Sequence, residues 1–224
     1  MKSYKAFAAN SYRLWLWVAF PIAGVIGCVI VMSGALKVVG LGAYSFHACI
    51  PIIAAAMVMI ETLADFGFLP GIYNKKSDSM KLFQLGTNGE ETLKQGLIGD
   101  IVRRVLVTVF FFGINMIMGV FIFGNEFYGM ESILQTIEYG VMAYAITTVA
   151  VILARHRKNF LNVFLYAYLG AFFQILIPGL LYVVKIPVLI VIAVFLVISI
   201  AASVMMVRIA EKRYKEKFYD EKFN

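Results

Sequence analysis

Six stretches of this chain stay apolar for longer than the roughly 20 residues a helix needs to cross a hydrocarbon core of about 30 Å. They occupy about 14–36, 42–69, 101–123, 132–153, 159–184 and 186–207. A lipid-exposed backbone cannot leave its N–H and C=O groups unpaired, and the runs lack the two-residue alternation of barrel strands. Each is therefore expected to be helical, which makes the fold all-α and polytopic. Composition agrees: 62% of residues are hydrophobic and only 15% charged, against about 45–50% and 25% in an ordinary soluble domain. The first run is too long for a signal peptide, and no small-residue cleavage pattern follows it.

Basic residues set the expected orientation. With six spans, one set of loops holds Lys2, Lys5 and Arg13, the segment from Lys75 to Arg104, the link Arg155, Arg157 and Lys158, and the tail from Arg208 onward; the other holds only Lys37 and Lys185. The positive-inside bias puts both termini in the cytoplasm and the chain in the plasma membrane. The net charge of +7 is then accounted for by topology and by anionic headgroups, with no nucleic-acid footprint. The expected organisation is an interfacial segment at 1–13, one six-helix body at 14–209 with a cytoplasmic loop at about 70–100, and a basic tail at 210–224.

Motifs of catalysis are missing. There is no phosphate-binding Gly-rich loop ending in Lys-Ser or Lys-Thr, no His-Glu-x-x-His pair and no Gly-x-Ser-x-Gly elbow. His47 and His156 fall at opposite membrane faces, and Cys28 and Cys49 read as small buried hydrophobes whose spacing fits neither a metal knuckle nor a redox pair. No catalytic, cofactor-binding or metal-ligating residue is expected, and the chain itself is not read as an enzyme.

The polar run "YNKKSDSMKLFQLGTNGEETLKQGL" at 73–97 is the exception in so apolar a chain. Ser77 or Asp78 can cap a short helix through Met80, Lys81, Leu82, Phe83, Gln84 and Leu85, with Gly86 ending it. Thr87-Asn88-Gly89-Glu90 then has capping-box spacing, with Glu90 and Glu91 in the first turn of the next helix. Leu93, Leu97, Ile98 and Ile101 recur at helical spacing, so that helix continues into the third span. The short helix is left as a knob whose apolar Leu82 and Phe83 suit a partner's groove. At the N-terminus, "MKSYKAFAANSYRLWLW" sets aromatic residues on one face and cations on the other, as in a helix lying in the membrane interface.

Polar groups inside the spans are few. Glu61 and Asp65 lie one turn apart at the cytoplasmic end of span two, within reach of water or basic partners, and Glu138 lies near the outer end of span four; the middle of every span is neutral, unlike that of an ion-driven carrier. Pro51 and Pro178 permit kinks, as does Pro21. Asn115 and Gln174 can glue helices or touch a substrate, and Met57 and Phe173 belong to a Met-rich and aromatic set that suits an adaptable, greasy surface. These six, Pro51, Met57, Asn115, Phe173, Gln174 and Pro178, are the candidate path or gate.

An N-terminal amphipathic helix, six spans with both ends inside, the capped helix "SDSMKLFQL", the long third helix starting at "TNGEETLKQGLIGDIVRR" and the lack of an ATPase motif together resemble the short permease subunit of an ABC exporter. The resemblance implies that the N-terminal piece is an elbow helix and that the loop helix is a coupling helix docking on a separate nucleotide-binding subunit through Met80, Lys81, Leu82, Phe83 and Gln84. ATP and Mg would be held by that partner, and two permeases, identical or similar, would pair to enclose the path. The outer turn "VVKIP" is shorter than the re-entrant helices of some relatives. The short outer loops offer no surface for a binding protein, which favours export, and a neutral cavity favours amphipathic peptides over drugs and lipids. Two other readings stay open: the substrate-capturing subunit of a vitamin importer, which needs its long loops on the outer side, and a non-transporting membrane scaffold or immunity protein.

Overall fold

The computed structural model describes residues 43–69, 71–74, 79–123, 130–157 and 159–216. The elbow segment, the first span with Pro21, the caps Ser77 and Asp78, the acidic turn at 124–129 and the end of the tail lie outside the described residues. Every regular element among those described is helical: α1 (Ala43–Phe68), α2 (Ser79–Gln84), α3 (Gly89–Phe123), α4 (Met130–Arg155), α5 (Phe160–Val184) and α6 (Val188–Lys215).

Three of these helices, over Ile133–Arg155, Phe160–Val184 and Val188–Lys215, are long and apolar enough to cross a membrane. Their outer surface demands lipid. Leu161, Val183 and Ile200 are 77%, 76% and 65% exposed, and similar residues surround them along α5 and α6. A face of that extent in water would drive association.

The long helices alternate in direction. Glu61 of α1 meets Arg103 of α3, Phe112 of α3 lies against Gly140 of α4, and Gly170 of α5 lies against Val58 of α1 and Ala150 of α4. α4 is the centre and touches all four other long helices. α5 joins α1 and α4 through the narrow stripe Val163, Ala167, Gly170, Gln174 and Pro178, whose steps of three and four residues keep it on one helix face. Gly170 allows the close approach, because a Cβ there would stand 3.0 Å from Val58 Cγ1. A first core forms between α1, α3 and α4 around Ile53, Met57, Val107 and Phe111.

Local signals explain the boundaries. α3 starts at Gly89 with Asn88, rather than Thr87, in the capping place, and the Asn88 carbonyl accepts from both the amide and the hydroxyl of Thr92. The capping box is thus displaced by one residue, and Glu91 in the first turn instead accepts from Gln95. α5 ends in a left-handed Lys185 (φ 57°), whose N–H and that of Ile186 close on Tyr182 and Leu181. α6 then begins directly after Pro187, which has no N–H to lose. It does not stop at the expected limit of the sixth span: the basic segment from Arg208 continues as helix to Lys215.

Candidate functional site

The polar loop and the charges that flank it are drawn together at one end of the bundle, where α1 and α4 finish, α3 starts and the last turns of α6 pass. Tyr73, in the turn after α1, is buried and donates to the Met206 carbonyl of α6 at 2.9 Å. Its backbone amide bonds the Arg155 carbonyl at 3.0 Å. Burial pushes its phenol above the ordinary range, so it remains a donor.

Beneath Tyr73 lies a cluster of three carboxylates and three guanidinium groups. Arg155 grips Asp65 with two nitrogens, at 3.0 and 2.6 Å, and reaches Asp100 at 2.7 Å. Arg104 bonds Asp100 at 2.6 Å and Asp65 at 3.3 Å. Arg103 takes Glu61 in a forked pair at 3.2 and 2.9 Å. Asp65, Asp100, Arg104 and Arg155 are at most 1% exposed, so their charges are balanced chiefly by one another. Burial alone would raise the Asp100 carboxyl; Arg104, Arg155 and Arg103 overcome that and hold it well below the usual carboxylate range. Of the two ways for Glu61 and Asp65 to be satisfied at the end of their helix, by water or by basic partners, the structure has the second.

The sequence places Arg103, Arg104 and Arg155 among the cations that set orientation; the fold makes them partners of buried acids. The signal was present as spacing. Glu61 and Asp65 are four apart, and Asp100 precedes Arg103 and Arg104 by three and four, so each helix offers its charges along one face.

The loop helix is fastened to this end. Met80 is 5% exposed and packs with Leu93 and Leu97 of α3, Val151 of α4 and Met206 of α6; Phe83 is half-buried against the same cluster. Gln84 donates to the carbonyls of Tyr214 and Glu216 at 2.8 and 3.0 Å. Lys81 is half-buried. The backbone at Leu82 continues the helix. α2 is thus folded back on the bundle instead of projecting as a free knob with its apolar side outward. Its C-terminal end is exposed: Leu85 is 81% accessible and is followed by exposed Gly86, Thr87 and Asn88. Gly89 lets the turn close, for a Cβ there would overlap the Phe83 carbonyl. Lys94 pairs with Glu211 at 3.0 Å, which joins α3 to the extended end of α6.

The six candidate path residues do not all meet at one place. Met57 is buried in the α1–α3–α4 core, and Pro51 is half-buried on α1. Phe173 points away from the bundle, 46% exposed, beside Phe172. Asn115 donates to the Phe111 carbonyl at 2.9 Å while its side-chain oxygen has no partner. Gln174 is fully buried in the α5 stripe, and neither atom of its amide makes a hydrogen bond. Pro178, four residues on, cannot donate to the Gln174 carbonyl, so this position gathers unmet polar groups in side chain and backbone.

A separate groove of about 720 Å³ opens between α3, α4 and α6. Its walls include Val105, Phe112, Val141, Leu196 and Ile200.

No group of three or more His, Cys, Asp or Glu side chains able to hold a metal ion occurs among the described residues. No protein-family model, curated protein or solved structure matches the chain.

Proposed function

We propose that this chain is the permease subunit of an ATP-driven exporter, six spans with both termini in the cytoplasm of a plasma-membrane protein, driven by a separate nucleotide-binding subunit that holds ATP and Mg. The observation that carries the reading is the mounting of the polar loop. A lever must be stiff where it is pushed and must reach the moving parts. The exposed tip 85–88 stands on α2 and α3, α2 is bonded to α6 through Gln84, and α3 enters the buried charge cluster that also holds α1 and α4. Force applied at Leu85 therefore passes into four long helices at once.

The docking face differs in detail from the one the resemblance implies. Met80 and Phe83 serve the internal packing of α2, so Leu85 and the turn after it, with Lys81 beside them, form the face offered to the ATPase. A second permease, identical or similar, pairs with this one, because one bundle encloses little volume. The substrate is hydrophobic or amphipathic, a peptide ahead of a drug or a lipid, since the described spans carry neutral amides with unmet atoms, those of Asn115 and Gln174, between their apolar faces.

The test is ATP hydrolysis by the tagged chain purified in mild detergent from its native membranes. The expected result is a co-purifying ATPase whose rate falls at least tenfold with Leu85→Asp, while the variant keeps the wild-type melting midpoint. Retention of full hydrolysis by that variant overturns the docking face. Purification without any ATPase overturns the transporter reading in favour of a membrane scaffold.

A further inference from the structure

One stripe of α6 joins two features that the transport reading leaves unused. Leu196, Ile200, Val204, Arg208 and Lys212 follow each other at steps of four, so each neighbours the next along a ridge that winds about 160° around the helix from first to last. All five are exposed. The first three line the groove between α3, α4 and α6, and Val204 also borders the smaller hollow that ends at Arg208 and Lys212.

The groove selects hydrocarbon. Its hydroxyls are already engaged: Thr108 donates to the Arg104 carbonyl at 2.8 Å, Ser199 to Phe195 at 2.7 Å, and Ser203 to Ser199 at 2.8 Å while contacting the Tyr144 hydroxyl at 3.0 Å. Their hydrogens are spent and only acceptor capacity remains, so a polar ligand would lose most of its own hydrogen bonds on entry. The size lies within the usual 300–1,000 Å³ of small-ligand sites.

The lower end selects negative charge. Arg208 and Lys212 are like charges at a spacing that brings them together, an arrangement that is mildly unfavourable until an anion bridges it. Glu211, the acid that feels the charge of Arg208, is closed on Lys94 instead. Cations at the end of an apolar helix reach toward the headgroup level, where phosphate oxygens lie.

We infer that this stripe is a binding site for one anionic phospholipid, with a hydrocarbon tail in the groove along Leu196, Ile200 and Val204 and the headgroup phosphate between Arg208 and Lys212. A second copy of the chain or an apolar helix would fill the groove and leave two cations facing nothing; a lipid satisfies both halves. The inference rests on the membrane location alone and does not depend on any ATPase partner.

Native mass spectrometry of the purified chain, offered an equimolar mixture of phosphatidylglycerol and phosphatidylcholine, tests it. The expected result is retention of one phosphatidylglycerol with a preference on the order of tenfold, as two surface cations near a headgroup supply. Arg208→Gln with Lys212→Gln should bring the two lipids to parity; both residues are exposed, so the protein folds. Lys185→Gln, at the opposite end, should leave the preference intact. Ile200→Trp fills the groove and should lower retention of both lipids with the cations still present. Equal retention by the wild type, a preference that survives the double variant, undiminished retention by Ile200→Trp, or displacement by inorganic phosphate at concentrations comparable to the lipid would each overturn the site.

Discussion

The charged end of the bundle and its middle treat buried polarity differently. At the charged end, the three acids, Arg104 and Arg155 are buried, Arg103 is partly exposed, and each acid has at least one guanidinium within 3.3 Å, although Arg104 keeps its Nε and Nη1 without a partner. Midway up the bundle, the amides of Gln174 and Asn115 are equally buried and short of partners. Orphaned polar groups cost about 1–3 kcal/mol each, so a chain tolerates them only where another arrangement or another occupant supplies the missing bonds. From this comparison the charged end is expected to hold its helices in one register, and the α1–α5 contact around Gln174, with a proline in each helix, to be the place where a shift would relieve an unmet amide.

The largest effect that tests this contrast comes from Arg155. Arg155→Met leaves Asp65 and Asp100 with one fewer cation in a buried site, and should destabilise the bundle by about 3–5 kcal/mol. Adding Asp65→Asn to that variant restores the balance of charge and should recover part of the loss, as detergent unfolding would measure in a double-mutant cycle. A loss below about 1 kcal/mol in the single variant would mean that the cluster is hydrated and the end is not locked. Replacing the whole cluster with apolar residues is a different experiment and can be neutral, because desolvation offsets most of what ion pairs contribute. The cluster's role is to fix which faces meet.

A smaller effect concerns how the loop is joined to this locked end. Gly89→Ala forces a methyl group into the Phe83 carbonyl, and the overpacking should cost about 1–3 kcal/mol. The strain is best relieved by lifting α2, so a cysteine placed at Phe83 should react with a water-soluble maleimide several times faster in the alanine background. Unchanged reactivity would show that α2 is already loose and that Leu85 does not stand on a rigid mount.

Much of this was legible beforehand, for identifiable reasons. The limits of α5 and α6 at their apolar ends follow from hydrophobic length, and Gly86 and Lys185-Ile186-Pro187 mark turns by their own backbone preferences. The long course of α3 from Gly89 was visible in the spacing of Leu93 and Leu97. The direction in which α2 faces was not, because Met80 and Phe83 look the same in a sequence whether they cover a partner or their own chain; only the tertiary position of Leu93, Val151 and Met206 decides it. Likewise Arg155 is separated from Asp65 by 90 residues, a pairing that no local pattern encodes. Phe173 and Gln174 are neighbours in the chain yet face opposite ways, so a path drawn through both cannot follow one helix face.

Gln174 gives the test of the other half of the comparison. Leucine has nearly the same volume and no hydrogen-bonding demand, so Gln174→Leu removes two unmet polar atoms without opening a cavity and should raise stability by about 1–2 kcal/mol in detergent unfolding. A loss of stability would mean that the amide finds partners in the resting bundle, and the mobile contact would then have to lie elsewhere. The informative outcome is a gain in stability combined with a loss of transport or of coupled ATP hydrolysis. An amide that weakens one state and is needed for the cycle must be satisfied in another, and the α1–α5 contact, where Pro51 and Pro178 each leave a carbonyl without its helical donor, has the surplus acceptors for it.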